Sequence, residues 1–242
     1  MLDSIVEMDD MAAKRKRIGG WQASLPFAPR GGVRRGAGRK KSKDSGVSHL
    51  ERAKLGSSYP VHVTVRLLAG FRSLRQVEEY RVLRGCFEAG REGCVGQEGG
   101  FRLVHYSVQG NHLHLLVEAV DRVALSRGMQ GLLVRIARGL NRLWKRKGRV
   151  FADRYHDHVL KTSREVRNAL AYVLNNARHH GLRLRQLMDI FTSAGRFDGW
   201  KEKVRIIGKD NIPVTAPRTW LLSKGWRQHR LISVHEIPGG AP

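Results

Sequence analysis

From Tyr59 onward the chain switches between two hydrophobic periods, and each switch marks an element. Val61-His62-Val63-Thr64-Val65-Arg66-Leu67-Leu68 sets β-branched residues at alternate positions, the pattern of a half-buried strand. Ser73 stands at the expected cap of a helix over about 74–88, with Leu74, Val77, Val82 and Leu83 as its apolar positions. The glycines between Gly90 and Gly100 read as a loop. Two strands follow, 101–108 and 112–119, joined by the hairpin signal Gln109-Gly110-Asn111.

The strongest helical pattern comes next. Leu125, Met129, Leu132, Leu133, Ile136, Leu140, Leu143 and Trp144 form one continuous apolar stripe, and Gly148 ends it. Residues 155–160 read as a fourth strand, and Ser163 caps a helix over 164–179 that Gly181 closes. This order predicts an α+β fold. Its core is a ferredoxin-like βαββαβ unit, an antiparallel sheet with helices on one face. Beyond Leu182 the periodicity fades among Pro213, Pro217 and Pro238, with a short helix expected at about 219–226. Residues 182–242 thus read as an irregular C-terminal extension without an assigned role.

Residues 1–58 differ from the rest. Between Lys14 and Lys43 stand eleven Lys or Arg, six Gly and no acid, which predicts a disordered basic arm. Arg35, Arg39 and Lys40 are its candidate DNA contacts, through phosphates or a narrow minor groove. Over the whole chain 45 Lys and Arg face 21 Asp and Glu, a net charge of +24. Such self-repulsion points to a polyanionic partner, nucleic acid first and an anionic membrane surface second. With 41% hydrophobic residues the chain can still bury a core. No apolar run is long enough to span a bilayer, and the acidic, then basic N-terminus is not a signal peptide. Cys86 and Cys94 fit neither a zinc knuckle nor a CxxC pair, so reduced thiols in a cytoplasmic protein are expected.

Three groups of residues carry candidate chemistry. His112-Leu113-His114 lies on a strand, so both imidazoles share one face, a half-built metal site that lacks a third ligand. On the 164–179 helix Tyr172 falls away from the apolar stripe of Val166, Leu170, Val173 and Leu174, with Asn176 one turn beyond it. A phenol there is a candidate nucleophile. The long helix and the loop after it expose Arg138, Arg142, Lys145, Arg146, Lys147, Arg149 and Arg154 without mixing charge sign, which favours phosphate contact over a solvated face.

These residues resemble a known family. His112-Leu113-His114 after Gly110-Asn111 looks like the histidine-hydrophobic-histidine (HUH) motif of single-tyrosine transposases. Tyr172-Val173-Leu174-Asn175-Asn176 resembles their catalytic-tyrosine segment, with an amide ligand four residues after the tyrosine. Pro60-Val61-His62-Val63-Thr64 and the stretch from Asn141-Arg142 to Gly148 are similar to the branch called REP-associated tyrosine transposases. The resemblance covers about 59–182. Members commonly carry proline after the asparagine, where this chain has Ala177.

The resemblance implies a DNA transposase, or single-strand endonuclease-ligase, working through a covalent 5′-phosphotyrosine on Tyr172. It implies Mg²⁺ or Mn²⁺ held by His112, His114 and Asn176, single-stranded or hairpin DNA as partner, and a bacterial, nucleoid-associated setting. A homodimer that exchanges the tyrosine helix stays open, as does a monomer. So does a host-retained DNA- or RNA-binding regulator that has lost catalysis. His62-Val63-Thr64 matches half of a two-motif phosphoesterase signature, but His114 replaces the second hydroxyl. Tyr106 and Tyr155 are the rival phenols.

Overall fold

β1 (Val61–Arg66), β2 (Phe101–Val108), β3 (His112–Ala119) and β4 (His156–Val159) form one sheet in the order β2-β3-β1-β4. All three neighbouring pairs are antiparallel. With α1 (Val77–Glu92) and α2 (Arg122–Leu143) as crossovers, this is the split βαββαβ arrangement. The computed structural model describes residues 52–92, 100–182, 184, 186–204 and 211–239. Arg35, Arg39, Lys40 and Cys94 lie outside them.

Strand alternation sorts the sheet into two faces. Val61, Val63 and Val65 of β1 and Leu113, Leu115 and Val117 of β3 are fully buried against Leu83 and Phe87 of α1 and Met129 and Ile136 of α2. Each such side chain contributes about 1.5–3 kcal/mol. The expectation of helices on one face therefore holds for α1 and α2. It does not extend to α3 (Ser163–Leu174), whose Val166, Leu170, Val173 and Leu174 join Val104 and Leu116 in a separate core on the opposite face.

Segment 186–239 completes that second core. Phe197, Trp200, Leu222 and Trp226 bury their side chains there, although among its described residues only α5 (Trp220–Ser223) and short turns give the segment regular structure. Arg167 of α3 is almost fully buried. Its guanidinium donates to both carboxylate oxygens of Glu236 and to the carbonyls of Arg230 and Leu231.

Helix ends depart locally from the periodic reading. Ser73 Oγ accepts from the Arg75 amide in a turn, and α1 begins only at Val77. Thr162, not Ser163, caps α3, in a reciprocal box with Glu165. The helix expected over 164–179 breaks at Asn175, whose side-chain amide donates to the Ser233 carbonyl, and continues as α4 (Asn176–His179). Gly181, at φ 68°, then lets the Leu182 amide reach back to the Ala177 carbonyl.

Candidate active site

The face of the sheet turned toward α3 carries the polar residues that alternate with the core. His62, Thr64 and Arg66 of β1 share it with His112 and His114 of β3, with Thr64 opposite His114 and Arg66 opposite His112. His156 and His158 of β4 stand opposite Thr64 and His62 on the same face.

Tyr172 comes down onto this face from α3. Its ring stands edge-on to His114 at 5.1 Å between centroids and to His62 at 5.9 Å. The rings of His112 and His114 are 4.8 Å apart. The side of α3 that looked polar in the sequence thus meets imidazoles. Past the tyrosine, His179 lies 5.4 Å from its ring, and His180 lies 6.0 Å from His112. Asn176, between Tyr172 and His179 along the chain, is wholly buried.

Hydrogen bonds engage one nitrogen of each motif histidine. His112 Nδ1 lies 2.8 Å from Asn111 Oδ1. His114 Nδ1 lies 3.2 Å from both Thr64 Oγ1 and His62 Nε2. His114 Nε2 is buried with no partner among the described residues, and so are both amide atoms of Asn176. Orphaned buried polar atoms cost about 1–3 kcal/mol each and call for an explanation.

Protonation is equally suggestive. Burial, with His180 and Arg66 nearby, lowers the pKa of His112 to about 4. Burial, then His62 and His112, lowers that of His114 to about 3. His62 falls to about 4 through burial, His158 and His156. All three are neutral at physiological pH, the state in which imidazole ligates a metal. Two imidazole nitrogens and an amide oxygen are donor types that suit Mn²⁺ well and Mg²⁺ acceptably. Among the described residues no three His, Cys, Asp or Glu side chains form a metal-holding group.

No family model matches the sequence, and no curated protein is significantly similar to it. Solved structures are similar to it. One of them is described as the REP-associated tyrosine transposase bound to a REP hairpin, with a TM-score of 0.49 and 16% sequence identity, covering 62% of this chain and 84% of that one.

The structure separates the basic candidates from the tyrosine. Arg138 and Arg142 are exposed on α2, across the sheet from Tyr172. Lys145, Lys147, Arg149 and Arg154 are exposed in the segment after it, which runs back along the end of β1 through Leu68–Val150 and Ala152–Arg66 backbone bonds. Arg146 instead stacks on Phe71 and bonds to Asn141. Trp144 stacks on Phe71 and donates to Glu79, a packing role.

The rival phenols lie in the other core. Tyr106 is buried beside Phe87 and Tyr80, and burial pushes its pKa far up. Tyr155 is buried under the Arg52 guanidinium.

The sequence assigned no role at this site to Arg66, Asn111, His179 or His180. Arg66 and Asn111 carried a signal: alternation puts Arg66 on the histidine face, and Asn111 precedes the motif directly. Among the described residues no helix is long and apolar enough to cross a membrane.

Proposed function

We propose that the protein is a single-strand DNA endonuclease-ligase of the single-tyrosine HUH type, with Tyr172 as nucleophile. The observation that carries this reading is the contact of Tyr172 with His114, itself in contact with His112, while His114 Nε2 and the buried amide of Asn176, one turn after the tyrosine, have no partner among the described residues.

The Tyr172 oxygen attacks a backbone phosphorus, forming a 5′-phosphotyrosyl bond as the bond to the 3′-oxygen breaks. That oxygen leaves as a 3′-hydroxyl after taking up a proton. Rejoining is the reverse attack, so bond energy is conserved and no nucleotide is consumed. His112, His114 and Asn176 would hold a divalent ion, which when bound supplies Lewis-acid polarisation of the scissile phosphate.

Two imidazoles outside that ligand set flank the phenol. His62 is engaged with His114. His179 bonds through Nδ1 to the Pro238 carbonyl at 2.7 Å, so its proton is on Nδ1 and Nε2 offers a lone pair for the phenolic proton. Arg66 is exposed beside His112, and its guanidinium makes no hydrogen bond or ion pair among the described residues. It is placed to grip a phosphate oxygen. The exposed cations after α2 would bind flanking DNA.

The test is incubation with labelled single-stranded and hairpin oligonucleotides, with Mn²⁺ or with EDTA, followed by denaturing electrophoresis. A metal-dependent, SDS-resistant adduct that His112→Ala and His114→Ala abolish is expected. Retained binding with no adduct across metals and hairpins would favour a regulator without catalysis.

A further inference from the structure

The two motif histidines are each held by a neighbour that carries no ligand in the proposed site. We infer that Asn111 and the Thr64–His62 pair are positioning residues that lock His112 and His114 as Nδ1–H tautomers, so that both Nε2 lone pairs face the proposed ion. The inference rests on the metal reading above only for its purpose; the tautomers can be observed without any metal.

Asn111 Oδ1 only accepts, so the 2.8 Å contact requires a proton on His112 Nδ1. In a neutral imidazole, Nε2 is then the free acceptor. For His114 the choice lies between its two nitrogens. A proton on Nε2 would be a buried donor with no acceptor among the described residues. A proton on Nδ1 meets two acceptors at 3.2 Å, Thr64 Oγ1 and His62 Nε2. The satisfied tautomer is Nδ1–H, which again leaves Nε2 open.

The backbone explains why these residues can do it. Thr64 is the cross-strand partner of His114, and His62 is two residues along on the same face, its ring stacked on His114 at 5.2 Å. The spacing that imitates half of a phosphoesterase motif therefore has a different use: it braces a histidine of the neighbouring strand. Metal-ligating histidines depend on such partners for orientation and basicity, and losing one typically costs about 10–100-fold in metal affinity.

Two readouts test this on the full chain. Long-range ¹H–¹⁵N correlation spectra of the metal-free protein at pH 7.5, assigned through His112→Ala and His114→Ala, report each tautomer directly. Nδ1–H is expected for both residues, and an Nε2–H form of either in the wild type overturns the inference. Mn²⁺ affinity, measured from the electron paramagnetic resonance of the free ion, is then compared among variants. Thr64→Val and Asn111→Leu are each expected to weaken it about 10–100-fold, with Asn111→Asp, which keeps the acceptor, close to wild type. Unchanged affinity in Thr64→Val and Asn111→Leu, alongside its loss in His112→Ala, overturns the positioning role. If His112→Ala binds Mn²⁺ like wild type, the metal reading fails instead, and the spectra alone decide the tautomers.

Discussion

The Tyr172 ring stands edge-on to the His114 imidazole of its own chain, 5.1 Å between centroids. Within the chain the candidate nucleophile therefore meets a histidine of the motif, whose partner His112 lies 4.8 Å further on. Tyr172→Phe keeps the ring and removes only the oxygen. It is expected to abolish covalent DNA attachment while changing oligonucleotide affinity less than about threefold and stability by less than about 1 kcal/mol, the range of ordinary mild substitutions. Adduct gels, fluorescence anisotropy and urea unfolding measure the three quantities. An adduct that persists at the wild-type level removes Tyr172 from the chemistry.

Arg66 should act on phosphate and not on the fold. It is exposed and cross-strand to His112. Arg66→Ala is expected to lower the single-turnover cleavage rate at saturating DNA by roughly 10-fold or more, about the 1.4 kcal/mol that one charge-assisted hydrogen bond readily supplies. Arg66→Lys should recover part of it. Equal rates in Arg66→Ala and wild type would leave the residue without a role in the site.

The ion pair between Arg167 and Glu236 ties the C-terminal segment to the helix that carries Tyr172. Removing one partner leaves a buried charge uncompensated, at about 3–5 kcal/mol when burial is complete. Glu236 is part-exposed, so Glu236→Gln is expected to cost less, about 1–3 kcal/mol in urea unfolding, with adduct yield falling in step. A neutral outcome would mean that the segment does not steady α3.

Stability should fall as pH drops through the acid range. His105 is buried, bonds to Ser193, and has its pKa lowered to about 4 chiefly by burial. The unfolded chain, with histidine near its ordinary 6.5, takes up protons first. Between about pH 6.5 and 4 the unfolded state therefore binds more protons, and stability is lost as pH falls. For His105 alone the loss from pH 6.5 to 5.0 is roughly 1–2 kcal/mol. Urea midpoints at pH 7.5, 6.0 and 5.0 should decline in that order, and less steeply in His105→Gln. A midpoint that is flat or rises on acidification contradicts the neutral, buried imidazole.

Local periodicity made the first core and the order of its elements legible. The alternating valines of β1, the stripe of α2 and the hairpin turn each repeat at a spacing that one short window reveals. The pairing of His112 with His114 on one face was legible for the same reason. The second layer was not. Phe197, Trp200, Leu222 and Trp226 come from irregular chain, and nothing in their spacing points them at Val104 and Leu116. Without that layer the periodicity gives α3 a solvent side and makes Tyr172 a surface phenol, whereas its ring stands against His62 and His114. The place of the basic residues was equally hidden. A uniform charge stripe favours phosphate contact, but its spacing does not tell that α2 lies across the sheet from the tyrosine.

The central claim is that Tyr172 forms the bond to DNA. The most direct test traps the wild-type protein on a hairpin-bearing single strand with Mn²⁺, digests both components, and locates the nucleotide by tandem mass spectrometry. The account predicts a nucleotide 5′-phosphate on Tyr172 and on no other tyrosine. A modified Tyr155 or Tyr106, or cleaved DNA with every tyrosine peptide unmodified, would contradict it.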